Sequence, residues 1–462
     1  MQRTALAVAL SSLLALPAVH ALSLQEAFDA ALQNDPTFSG ARASLVAAQE
    51  RTNQSKSLTR PNVGLTASAN ATRTELKISG APSASSNDNN QQAGIQASMP
   101  LFRPANWAQQ EQAKLGEQIA DAQLAAARQD LILRLSQAYF DVLAAQDTVN
   151  SIAAQKKAVS EQLAQAKREF EVGTKTIVDT HEAQARFDQI VAQEAVAQGD
   201  LISKQSALSQ ITGRPTPSLN GLVNKPNLRM VEPASMEDWV SQAERGNYGV
   251  VIAGNSLEIA KRDVSRSRAG NLPTVDLVGN VGANRSSGSI SLPRSSTGNS
   301  ATIGVQMNWP LYAGGAIDAR LRETIALEDK SRLDLEAAKR AANQGAKQAY
   351  LGVTYGLAQV RALEAAEVSA TSQLNSTRLG YQVGVRINLE VLNAEQQLAQ
   401  TRTNLLKSRY DTLLAGLRLK SAAGQLGDED LKAVNAYLSP VPVTPEPVVV
   451  PPSPAVKPPA KR

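Results

Sequence analysis

Asn62-Val63-Gly64-Leu65-Thr66-Ala67-Ser68-Ala69-Asn70-Ala71-Thr72 decides how this chain folds: its odd positions are all apolar and its even positions are polar or glycine. A period of two puts successive side chains on opposite faces of an extended strand. The segment 62–75 is thus expected to be a strand, and 91–102 repeats the pattern, with Ala93, Ile95, Ala97 and Met99 set against Gln92, Gly94, Gln96 and Ser98. The pattern returns at 274–284 through Val275, Leu277, Val281 and Ala283, and at 300–310 through Ala301, Ile303, Val305, Met307 and Trp309. Each run has about the 9–11 residues that cross a bilayer as a tilted strand. The alternation alone fits a soluble sheet with one wet face equally well. The intervening segments 76–90 and 285–299 are rich in Ser, Asn and Gly and read as exposed loops.

The strand pairs belong to a larger duplication. Pro61 matches Pro273, Met99-Pro100-Leu101-Phe102 matches Trp309-Pro310-Leu311-Tyr312, Tyr139 matches Tyr350, and Phe170-x-Val172-Gly173 matches Tyr381-x-Val383-Gly384, at offsets of 210 to 212. Landmarks that hold register across a whole half mark two copies of one unit. The copies are 22–214 and 234–438, joined by a proline-rich linker at 215–233.

After each strand pair the period changes to that of a helix. In 105–170 the residues Leu124, Leu131, Leu135, Ala138, Val142, Ala145, Val149, Ile152, Val159, Leu163, Ala166 and Phe170 advance by three, four or seven, which is a coiled-coil seam. The same seam recurs 211 positions later, in 316–381. About 65 helical residues extend roughly 100 Å at 1.5 Å per residue. Shorter returning helices are expected at 177–211 and 389–423, reversed at Gly173 and Gly384, since glycine accepts positive φ without steric cost. An interrupted helix precedes each strand pair, at 24–34 with 37–57 and at 236–245 with 249–268.

Composition narrows the class. The first 21 residues have the charged, apolar and small-residue regions of an export signal, with maturation expected before Leu22. No later run has the roughly 20 continuous apolar residues of a spanning helix, so any membrane entry is by strands. Cysteine is absent, which excludes disulfides and thiolate chemistry. The net charge of +5 over 462 residues is dispersed, and no nucleic-acid partner is expected. A 4 % aromatic content suits long helices packed through small residues better than a conventional core. Only His181 remains after the signal, and no phosphate loop, nucleophile elbow or metal-ligand cluster is present, so no enzyme and no cofactor are expected. The segment 439–462, proline-rich and ending in Lys461-Arg462, reads as a disordered tail.

Closure then sets the assembly. Spanning barrels start at about eight strands, and an eight-stranded barrel is filled by its own side chains. Four strands per chain therefore require at least three chains for an open conduit, and twelve strands is the smallest answer.

The stretch Gly380-Tyr381-Gln382-Val383-Gly384-Val385-Arg386-Ile387-Asn388-Leu389-Glu390-Val391-Leu392-Asn393-Ala394 resembles the periplasmic tip of the second repeat in the TolC family of outer-membrane channel-tunnels. Supporting matches are Leu24-Gln25-Glu26-Ala27, Arg60-Pro61, Leu272-Pro273, Pro310-Leu311-Tyr312 and Leu419-Lys420-Ser421-Ala422-Ala423-Gly424. The resemblance implies a mixed α and transmembrane β fold: a homotrimer whose twelve-stranded barrel in outer-membrane lipid continues into a long antiparallel coiled-coil tunnel in the periplasm. It implies an exit duct for efflux or type I secretion, served by a periplasmic adaptor (membrane fusion) protein and an inner-membrane RND, MFS or ABC transporter.

By position the resemblance makes Tyr381 and Arg386 gate residues with Asp179 as acceptor. It makes Glu390 a member of an acidic constriction ring whose second place is taken by Asn393, and it gives the turns Val172-Gly173 and Val383-Gly384 to adaptor docking. A duct dedicated to one secreted protein shares every one of these features. A trimeric coiled-coil adhesin is the alternative of another class, and it would carry its barrel in a single C-terminal segment instead of both repeats.

Overall fold

The computed structural model describes residues 21–80, 82–174, 176–215, 218–223, 226–287 and 294–439. The predicted signal up to residue 20 and the tail from 440 onward lie outside the described residues, as do parts of the linker and of the second polar loop.

The first copy opens with α1 (Leu24–Asn34) and α2 (Pro36–Lys56). Ser23 and Glu26 cap α1 reciprocally, Ser23 Oγ accepting from the Glu26 amide and Glu26 Oε2 from the Ser23 amide. Asp35 then ends α1 and caps α2, accepting from the Phe38 amide at 2.7 Å with Pro36 at the first helical position. The break between the two helices is therefore written in Asp35-Pro36. Arg134 fixes it from outside, its guanidinium reaching both Asp35 oxygens at 3.1 and 3.2 Å.

Next come β1 (Asn62–Leu76) and β2 (Ala84–Phe102), then the long helix α3 (Pro104–Glu171) and its return α4 (Ile177–Thr212). A two-residue strand β3 (Gly221–Leu222) lies in the segment read as linker. The second copy runs α5 (Met236–Gly246), α6 (Tyr248–Arg268), β4 (Thr274–Ser286), β5 (Ser296–Asn308), α7 (Ala316–Gln382) and α8 (Asn388–Ala422). It closes with α9 (Asp428–Asn435) and β6 (Leu438–Ser439), which pairs with β3. Pairing of the linker with the chain's far end was not legible in advance, because two-residue strands carry no periodicity.

The four long strands form one antiparallel sheet in the order β1-β2-β4-β5. Register aligns the apolar positions across it, as in Leu65–Ile95–Val281–Ala301 and Val63–Ala97–Gly279–Ile303. The opposite face carries polar and small rows, Gly64–Gln96–Asn280–Thr302 and Ser68–Gln92–Asn284–Gly298. The apolar face is uncovered: Leu65 is 76 %, Ile303 80 % and Val305 65 % exposed, a surface suited to lipid and costly in water. Both edges, β1 and β5, have no neighbouring strand among the described residues. At the sheet's base Arg103 grips Asp276 with two bonds of 2.8 and 2.6 Å, tying the two strand pairs together.

The strands correct the sequence reading in length. Residues 84–90 and 296–299, read as loop, are strand, with Leu76 facing Ala84 and Ser286 facing Ser296. Turn-forming residues are tolerated there because a ladder already nucleated by the alternating segments extends by one backbone pair at a time. Polar side chains also suit strand ends that stand clear of lipid.

Each long helix is accompanied along one part by its return helix and along the other by the shorter helices, α3 by α4 and by α2 and α6, and α7 by α8 and by α5 and α6. Much of the expected seam is buried: Leu131, Leu135, Val142, Ala145, Val159, Leu163 and Ala166 on α3, and Ala342, Ala346, Val353, Val360, Ala370 and Leu374 on α7, while Phe170 at the tip end is 43 % exposed. Among the described residues no helix is long and apolar enough to cross a membrane.

The largest core lies at mid-height, where Leu24 and Phe28 of α1, Ile132 and Tyr139 of α3, Leu413 and Leu417 of α8 and Leu431 of α9 converge. The Tyr139 hydroxyl donates towards the carbonyls of Leu22 and Asn220 at 2.9 and 3.1 Å, which joins the first helix and the linker to α3. Its repeat-mate Tyr350 donates to the Ala234 carbonyl, so the duplicated tyrosines anchor the start of each copy.

Within this core Phe140 stacks on Tyr410, whose hydroxyl donates to Asp147 Oδ2 at 2.7 Å. Burial pushes the Asp147 carboxyl up to about 6 from 3.8, against the lowering effect of the Tyr410 bond. A folded-state value above the unfolded one means that the fold holds this proton more tightly. Its stabilising effect is complete below about pH 4 and is lost as pH rises to about 6. Asp147→Asn keeps an acceptor for Tyr410 without the charge, so it is expected to raise stability at pH 7.5 by about 1–2 kcal/mol. Melting temperature measured against pH checks this: the wild type should fall between pH 4 and 6 relative to the variant, and parallel curves would refute it.

Candidate gate at the hairpin tips

The two helical hairpins turn at matching places. Val172 and Val383 end the long helices, and Gly173 and Gly384 follow with φ of 76° and 80°. The Thr174 amide donates back to the Glu169 carbonyl, and the Val385 amide to that of Gly380, both at 2.9 Å. A bond spanning five residues with a left-handed glycine is the Schellman closure, which satisfies the last carbonyls of a helix. This is why Val-Gly recurs in the sequence. Val172 and Val383 are 73 % and 65 % exposed, so both turns present an apolar knob to the outside.

Tyr381, in the last turn of α7, packs against the cluster that Ala370, Leu374, Val391, Ala394 and Leu398 form between α7 and α8. Its hydroxyl donates to Glu169 Oε2 at 3.0 Å, which connects the tip of α7 to the tip of α3. Burial, this bond and the nearby Glu169 and Asp179 charges push its pKa up to about 12, so it remains a donor at any physiological pH.

Asp179 stands at the third position of α4 and completes a capping box with Thr176. Its Oδ2 accepts from the Thr176 amide at 3.1 Å and from its hydroxyl at 2.8 Å. Arg386 lies in the second turn and reaches Glu390 Oε2 at 3.1 Å, one helical turn on. The sequence-derived triad is thus brought to one end of the chain, but within a single copy each member has a nearer partner than the one expected.

The two ring positions are also engaged. Glu390 meets Arg386, and Asn393 Oδ1 accepts from Arg186 of α4 at 3.1 Å. Deeper, Glu395 is buried and held by Arg378 at 2.7 Å and Gln162 at 3.1 Å. Burial raises its pKa and Arg378 opposes that. Sequence reasoning missed Glu169, Arg186 and Glu395. Glu169 carried a signal nonetheless: it is an acid in the last turn of a helix, where the carbonyl end disfavours negative charge. Such a mismatch points to a partner.

An exposed apolar sheet face continued by helical hairpins of roughly 100 Å that meet at a polar tip defines an outer-membrane exit duct. The chain belongs to the outer membrane efflux protein family, whose model matches it twice, over 27–214 and 239–425. It is 34 % identical to the outer membrane protein TolC of Vibrio cholerae, over 91 % of this chain and 95 % of that one. It is 28 % identical to the proteases secretion protein PrtF of Dickeya chrysanthemi, over 92 % of each. The fold matches that of the CmeC outer membrane channel of Campylobacter jejuni with a TM-score of 0.75, at 18 % identity and over 90 % of both chains.

Proposed function

We propose that three copies of this chain close a twelve-stranded barrel in the outer membrane and form one continuous tunnel into the periplasm, gated at the hairpin tips. The observation that carries the reading is the sheet itself, with a lipid-suited face and two unpartnered edges. Four strands cannot enclose water and eight enclose only side chains; joining β5 of one copy to β1 of the next removes every edge. The rows on the polar face then line the lumen. The two repeats, with their six matched tips in a trimer, give the tunnel its near-regular end.

In this role the chain passes substrates outward and supplies no chemistry, its family being one of efflux channels rather than enzymes. Driving energy comes from an inner-membrane transporter of the RND, MFS or ABC type, through a periplasmic adaptor that docks at Val172-Gly173 and Val383-Gly384. Both efflux of small molecules and type I secretion of unfolded proteins fit the same duct. Similarity to a protease-secretion protein over nearly the whole chain favours counting secretion among its duties.

The purified mature protein is expected to be trimeric in detergent and to form ion-conducting channels in planar bilayers; a monomer that never conducts would overturn the proposal. Selectivity is expected to be weakly cationic, since Glu390 is already partnered by Arg386 and Asn393 carries no charge. Glu390→Ala removes three carboxylates from the constriction and releases three guanidiniums, so the reversal potential in a salt gradient should move towards anion preference. An unmoved reversal potential would take Glu390 out of the ring.

A further inference from the structure

The tips are duplicated in their turns, Val172-Gly173 matching Val383-Gly384, while most of the surrounding side chains have diverged. The repeat-mate of Tyr381 is Phe170, which has no hydroxyl. The mate of Glu169 is Gly380, where an added Cβ would stand 2.6 Å from the Arg386 side chain folded across it. The two copies have therefore divided the work: one supplies an acid, the other a phenol and the space for an arginine. The acid–phenol pair consequently exists once per chain, between α3 and α7, and not once per repeat.

Glu169 is built to receive that phenol. Gln165, one turn earlier, donates to Glu169 Oε1 at 2.8 Å and so orients the carboxylate, leaving Oε2 for the Tyr381 hydroxyl at 3.0 Å. Asp179, the acceptor expected by position, is committed to Thr176 by two bonds. Turning its Oδ2 towards Tyr381 would break the bond to the Thr176 amide that completes the capping box of α4.

Resting on the proposal that the tip is a gate, we infer that Glu169 is a gate-positioning residue: it fixes Tyr381 and thereby ties the α7 tip to the α3 tip within each copy of the closed channel. Opening, which separates the hairpins, must break this bond in every copy. Asp179 then acts on the tie only through its charge and through the cap of α4.

Single-channel recording of the full-length trimer tests the assignment with Glu169→Ala, Glu169→Gln, Asp179→Asn, Tyr381→Phe and the Glu169→Ala/Tyr381→Phe pair. Losing one hydrogen bond to a carboxylate shifts a two-state gate roughly tenfold or more towards open, so Glu169→Ala and Tyr381→Phe should raise open occupancy by similar amounts. Their combination should add nothing further, because both remove the same bond. Glu169→Gln retains an acceptor oxygen and should stay near wild type, as should Asp179→Asn, which can still cap.

Additive effects of Glu169→Ala and Tyr381→Phe would overturn the inference, as would a rise with Asp179→Asn that matches Tyr381→Phe. If Glu169→Ala does nothing while Tyr381→Phe opens the channel, the gate stands and Glu169 is removed from it. If neither opens it, the gate reading itself falls. Should Glu169→Ala fail to assemble, Asp179→Ala combined with Tyr381→Phe still decides which acid is the acceptor: additive effects leave Asp179 outside the bond, and non-additive ones make it the acceptor and overturn the inference.

Discussion

Tyr381→Phe combined with Arg386→Ser is expected to raise single-channel conductance severalfold over the wild type in planar bilayers. The phenylalanine keeps the ring seated against the cluster between α7 and α8 while deleting the donor to Glu169. The serine removes both the bond to Glu390 and the guanidinium stem folded over Gly380. Partly exposed bonds of this kind contribute about 0.5–3 kcal/mol each, weak enough singly for a docking partner to release. Lost in all the copies of a trimer at once, they shift a closed tip decisively towards open. The turns themselves keep their Schellman closures at Gly173 and Gly384, so the channel should still assemble and insert. Conductance equal to wild type from well-formed trimers would remove Tyr381 and Arg386 from the gate.

An equally large effect is expected at the other end of the molecule. Ile303→Arg places a charge on the apolar face of β5, in the row shared with Val63 and Ala97 and at 80 % exposure. Arginine facing lipid near the bilayer midplane costs about 2–4 kcal/mol per site, and every copy in the proposed barrel would bear it. The variant should therefore be largely missing from outer-membrane fractions. Thr302→Arg is the control: one residue earlier, on the polar row with Gly64, Gln96 and Asn280, its side chain enters water. It should insert normally and alter conductance instead. Equal tolerance of both variants would mean that the faces have been assigned the wrong way round.

Periodicity works as a guide here because most of this molecule is long and regular. A helix of 68 residues repeats its burial stripe many times, so Leu131 to Ala166 could be read as a seam without knowing what covered it. Strands betray themselves similarly, yet their ends do not. Nothing in Ser85-Ser86-Asn87-Asp88-Asn89-Asn90 marks a strand, and only the partner residues 70–75 make it one. The site divides along the same line. Glycines at the turns, Tyr381 and Arg386 were legible from local chemistry and resemblance. Glu169 showed only as an acid misplaced at the end of a helix, and its partner did not show, since that depends on which of several nearby acids lies within 3.0 Å of a hydroxyl 212 positions away.

By itself, the order of residues determined the duplication, the four alternating strands, the two long seams and the places where the chain reverses. Each of these is a local or periodic property, set by backbone preference and by which side chains avoid water. Tertiary structure alone decided the order β1-β2-β4-β5, the pairing of the linker with the far end of the chain, and the commitment of Asp179 to a helix cap while Glu169 receives Tyr381. Those outcomes are choices among competing partners, and they turn on ångström differences in approach that no one-dimensional pattern contains.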